Sequence, residues 1–168
     1  MIIYKILHPI SLKISRKIHG KTLHILSEIP MERDGAIYMA NHSCRWDVPV
    51  AVDLLKSHTY VLAGKQGTTR RKEGQEFGNF DRSFIVLAKK TNSVVCPITV
   101  LWTGCKRNKI VVNFGKAFYV EEMTEDEAME KFMKIQREGL EENKRYMEKR
   151  DMRSVSYTHL RAHETRGN

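Results

Sequence analysis

The chain has 168 residues, 41% of them hydrophobic, and a formal net charge of +9. That length supports one domain with a real core, and no apolar run approaches the roughly 18 residues of a membrane-spanning helix. Cys44, Cys96 and Cys105 are odd in number and form no CxxC pair. That pattern argues against a disulfide framework or metal cluster and for a reduced, cytosolic compartment.

An excess of positive charge calls for an anionic partner: a membrane surface, a phosphorylated ligand or nucleic acid. Lys5, Lys13, Arg16, Lys17 and Lys21 all precede the first acid, Glu28. The spacing predicts one broken or two short helices over residues 2–19, interrupted at Pro9. Ile3, Ile6, Leu7, Ile10, Ile14 and Ile18 fall within a stripe of about 120° on a helical wheel. Such a basic amphipathic segment (residues 1–20) suits either the headgroup region of an anionic membrane or packing on the domain.

Thr22 to Leu26 reads as a strand, followed by a turn at Glu32-Arg33-Asp34-Gly35. Ala36-Ile37-Tyr38-Met39-Ala40 is short, apolar and bounded by Asp34-Gly35, which predicts a buried strand. It leads into Asn41-His42-Ser43-Cys44-Arg45-Trp46-Asp47. Val48 to Leu55 then reads as a helix, with Asp47 as its cap and Pro49 tolerated in the first turn. On a continuous helix His42 and Asp47 would lie about 140° apart. They meet only if the chain turns between them, as a loop entering a helix allows. A carboxylate held by one imidazole nitrogen fixes the tautomer and leaves the other nitrogen free to take a proton. A loop His beside a capping Asp is the alternative reading.

Thr59 to Ala63 reads as a further strand, and residues 64–79 as a polar, Gly-rich loop. Gly67, Thr68, Thr69, Arg70 and Arg71 suit phosphate binding, because Arg binds phosphate bidentately and Gly admits backbone N–H groups. The alternative is a solvated basic loop. Asp81 to Thr91 predicts a helix with Phe84, Ile85, Leu87 and Ala88 inward and Lys89-Lys90 at its C-terminal end. Val94 to Trp102 is β-rich, and Pro97 within it requires an edge position or a bulge. Lys109 to Phe114 follows as its hairpin partner. Thr124-Glu125-Asp126-Glu127 has the form of a capping box. It opens a charged helix to about Arg150, with Ala128, Phe132, Ile135 and Met129 inward and Glu127–Lys131 and Glu130–Lys134 as i,i+4 pairs. Residues 154–168 lack periodicity, resemble a translated adaptor sequence and are set aside as a non-native tail. The expected class is α/β: a mixed central sheet flanked by helices, with residues 21–153 as the domain.

Asn41-His42-x4-Asp47, between an apolar strand and an apolar helix, resembles the first motif of the lysophosphatidic acid (1-acylglycerol-3-phosphate) acyltransferase family. Gly67 to Arg71, running on to Arg82, resembles the family's Phe-Pro-Glu-Gly-Thr-x-Arg stretch. Val94-Val95-Cys96-Pro97-Ile98 resembles its later Val-Pro-Ile strand. The resemblance covers roughly residues 1–120. It departs at Gly64-Lys65-Gln66, which stands where the family has Phe-Pro-Glu. Several tens of residues, including a Gly…Arg substrate-binding motif, are missing, as after an internal deletion between residues 66 and 67.

The resemblance implies transfer of an acyl group from acyl-CoA or acyl carrier protein to the hydroxyl of a lysophospholipid or glycerol phosphate. His42 would be the base and Asp47 its orienting carboxylate. Asn41, Gly67, Thr68, Thr69, Arg70, Arg71 and Arg82 would bind substrate. No metal or other cofactor is implied beyond the acyl thioester. The expected location is peripheral, on the cytoplasmic face of an anionic membrane, and no nucleic-acid partner is expected. A truncated relative that only binds anionic membrane or lipid is the second reading.

Overall fold

The computed structural model describes residues 10, 13, 23–28, 35–41, 51, 54–55, 76–102 and 110–164, with side chains as far as Arg150. The elements are β1 (Leu23–Ile25), β2 (Ala36–Ala40), α1 (Ser83–Thr91), β3 (Val94–Trp102), β4 (Ile110–Phe114) and α2 (Glu125–Glu164). The four strands form one sheet in the order β1-β4-β3-β2. β2 runs parallel to β3, β3 antiparallel to β4, and β1 parallel to β4. The fold is mixed α/β, as expected.

The sheet is covered on both faces, which explains why its strands read as continuous apolar runs instead of alternating ones. On one face Ile98, Val100, Ile110, Val112 and Phe114 pack with the helical residues Leu54 and Leu55. On the other, Val95 packs with Phe84, Ile85 and Ala88 of α1 and with Ala128 and Phe132 of α2. Phe132 is fully buried, with Phe80 edge-on at 4.8 Å and Phe84 at 4.9 Å between ring centroids.

Pro97 does not lie at an edge, because β3 is paired on both sides. A bulge accommodates it. Ile98 pairs with Phe114 and Val95 with Phe118, so residues 115–117 face only residues 96–97. The missing Pro97 N–H falls at that irregularity, while its carbonyl accepts from Gly115 N–H at 2.9 Å.

Local signals account for the helix ends. Asp81 Oδ1 accepts the Ser83 N–H at 2.7 Å, so α1 begins at Ser83, slightly inside the expected bounds. Asn92 ends it in the left-handed region at φ 48°. The capping box of α2 is present: Glu127 N–H donates to Thr124 Oγ1 at 3.2 Å, and Thr124 N–H donates to Glu127 Oε2 at 2.7 Å. Glu127 thus turns back to Thr124, and Lys131 lies 4.9 Å over the Phe118 ring, in place of the expected Glu127–Lys131 pair. α2 continues beyond Arg150 to Glu164. Residues 151–164 contain no Gly or Pro that would break it.

Candidate functional site

The best-defined part of the candidate site is the carboxyl end of β2. Asn41 N–H donates to Ile98 O at 3.4 Å, the last backbone rung from β2 to β3 among the described residues. A continuing parallel ladder would next place the Asn41 carbonyl on Val100 N–H, and a later N–H of the strand on Val100 O. The Asn41 side chain makes both bonds. Its Oδ1 accepts from Val100 N–H at 2.6 Å, and its Nδ2 donates to Val100 O at 2.8 Å. A carboxamide has the donor and acceptor of a peptide group, so it completes the ladder where the strand stops. Val100 is 1% exposed and Asn41 9%. Losing the amide would leave two buried backbone groups unpaired, at about 1–3 kcal/mol each.

Asn41 was expected on the substrate; in the structure its amide is engaged with Val100. Arg82 was expected there too. It stands at the start of α1, and its guanidinium meets Asp126 at 2.6 Å in an exposed ion pair. His42, Asp47, Gly67, Thr68, Thr69, Arg70 and Arg71 lie outside the described residues, as do Cys44 and Cys105.

The two stretches that carry these residues are tied to one helix. Gln136 of α2 is fully buried. Its Nε2 donates to Met39 O of β2 at 3.2 Å and to Ile98 O at 3.0 Å, while its Oε1 accepts from the Thr99 hydroxyl at 2.9 Å. Eight residues further along the helix, Lys144 Nζ meets Glu76 Oε1 at 3.0 Å and Glu141 Oε1 at 2.7 Å. Eight residues are about 12 Å of helix. The strand that leads to His42 and the segment that follows the Gly67–Arg71 stretch are therefore fastened to α2 about two turns apart. Phe77, buried beside Phe80, adds apolar contact at that second anchor.

Electrostatics at this anchor are those of a surface cluster. Hydrogen bonds donated to Glu141 and then Glu76 raise the Lys144 pKa above its ordinary value, and Lys144 lowers that of Glu141. Six residues beyond Lys144 on α2, Arg150 lies against the His24 ring, 3.0 Å from Nδ1, and beside Tyr146. Among the described residues no group of three or more His, Cys, Asp or Glu is placed to hold a metal ion. None of the described helices is long and apolar enough to cross a membrane.

Sequence reasoning missed the polar seam on α2. Gln136 and Asn143 are fully buried, and both reach the sheet, Asn143 through Nδ2 to Thr99 O at 3.1 Å. The signal was present: two uncharged amides share a helical stripe with Phe132, Leu140 and Met147 in an otherwise densely charged segment. Compared with known proteins, the chain matches no family model, no curated protein and no solved structure.

Proposed function

We propose that the protein is a membrane-peripheral acyltransferase. It moves a fatty acyl group from acyl-CoA or acyl carrier protein to the hydroxyl of a lysophospholipid or glycerol phosphate. The observation that carries this reading is the closure of β2 by Asn41 at its carboxyl end, directly before His42. In α/β sheets, reactive loops gather at the carboxyl ends of the strands. In this reading His42 removes the acceptor hydroxyl proton and Asp47 orients the ring. The alkoxide attacks the thioester carbonyl and the thiolate leaves. Thr68, Thr69, Arg70 and Arg71 hold the acceptor phosphate, while Arg82 pairs with Asp126.

The test is release of free thiol from acyl-CoA in the presence of lysophosphatidate. His42→Ala should slow release about 10²–10⁴-fold, the usual contribution of a positioned base. Equal rates for variant and parent would remove the mechanism.

One observation favours a second reading, a lipid-binding relative without turnover. Ile10 is half exposed and Lys13 is exposed, both in helical conformation three residues apart. Salt-sensitive binding to anionic vesicles, with no thiol release, is the result that reading predicts.

A further inference from the structure

We infer that Asn41 is a positioning residue: its amide ends the β2–β3 ladder and so fixes how His42 is presented, without itself contacting the acceptor. The inference rests on the reading of His42 as the base. Three observations carry it. Both polar atoms of the amide are bonded to Val100. The partner backbone is buried, so the amide could turn toward a phosphate only by abandoning two buried bonds. The bonds replace the two ladder positions that the backbone beyond Asn41 would otherwise fill, so the sheet makes no further demand on that backbone at Val100. A residue in this position determines where the chain leaves β2. His42 is the next residue, and its imidazole depends on that departure point.

The substitution that separates the roles is Asn41→Asp. A carboxylate can accept from Val100 N–H, but it sets negative charge against Val100 O. A protonated carboxyl restores one donor and one acceptor. Asn41→Ala removes both.

The experiment uses the full chain and follows Val100 amide exchange and the His42 imidazole titration by NMR, with thiol release alongside. Asn41→Ala should lower the Val100 protection factor at least tenfold and bring the His42 titration to that of an unfolded-chain histidine. Asn41→Asp should lose less Val100 protection than Asn41→Ala at neutral pH, because its carboxylate still accepts from Val100 N–H, and should regain the rest as the carboxyl is protonated. Thiol release should lose at least tenfold in kcat with the acceptor KM unchanged.

If Val100 protection falls while the His42 titration stays in place, the inference is overturned. A raised acceptor KM at unchanged kcat also overturns it, since it puts Asn41 on the acceptor. Asp47→Asn reports on the underlying reading by itself. If that variant leaves the His42 titration unmoved, the dyad is absent, and the response to Asn41→Ala still decides whether Asn41 positions residue 42. If Asn41→Ala does not fold, the pH-dependent recovery of Asn41→Asp gives the answer.

Discussion

Gly139 of α2 lies directly over Thr99 of β3. A Cβ built at Gly139 would stand 2.7 Å from the Thr99 hydroxyl oxygen and 3.1 Å from its Cβ. Two effects compete in Gly139→Ala. Helix propensity favours alanine by about 1 kcal/mol. Overpacking of a well-packed core costs about 1–3 kcal/mol. The hydroxyl cannot swing aside without leaving Gln136, so the clash should win. Denaturant titration should show net destabilisation, where an exposed helical glycine would show a gain.

The two buried amides of α2 should respond differently to leucine. Gln136 satisfies the Thr99 hydroxyl and two strand carbonyls, so Gln136→Leu leaves that buried hydroxyl only the long 3.5 Å bond to the carbonyl of residue 136 and costs about 1–3 kcal/mol. Asn143 donates to two carbonyls of the ladder, and its own Oδ1 is buried without a hydrogen-bond partner. Asn143→Leu removes that unpaired acceptor, and its unfolding midpoint should stay close to that of the parent.

Phe132→Ala should be the most damaging substitution in α2. The ring is fully buried and joins Phe80 and Phe84 to the helix. Truncating such a side chain costs about 3–5 kcal/mol. Urea denaturation should show most of the domain's stability lost.

The α2 capping box gives a pH dependence of known sign. Hydrogen bonds from Thr124, backbone first, lower the Glu127 pKa below its ordinary 4.5. A depressed carboxyl pKa contributes stability above the unfolded value, and that contribution fades as pH falls from about 4.5 through the folded value. Thr124→Ala removes the hydroxyl and should cost about 1 kcal/mol at neutral pH. Melting curves should converge for Glu127→Gln and parent as the pH falls below that range.

Helix starts, the β3–β4 hairpin and the apolar faces were legible because each is set by neighbouring residues. Thr124 with Glu127, Asp81 before Ser83 and the pattern Phe84-Ile85-Ala88 are local chemistry. The position of β3 was not legible. Pro97 offered two solutions, and the choice depended on Phe118 and Phe114 lying beside it across the sheet. The role of Asn41 was hidden for the same reason, since its partner is 59 residues away in sequence. Gln136 and Asn143 were overlooked because a charge-rich helix invites the assumption that every polar residue faces water.

The two anchors on α2 also bear on chain length. Gln136 holds β2 through Met39, and Lys144 holds the returning chain at Glu76, so the frame does not depend on how many residues join them. Closing a flexible loop costs only about 0.6 kcal/mol more for each doubling of its length. Segments of different length inserted between residues 66 and 67 should therefore leave the melting temperature nearly unchanged. The scaffold works as a socket: the junction between residues 66 and 67 can lengthen or change chemistry while Leu54, Leu55, the sheet and α2 keep their places.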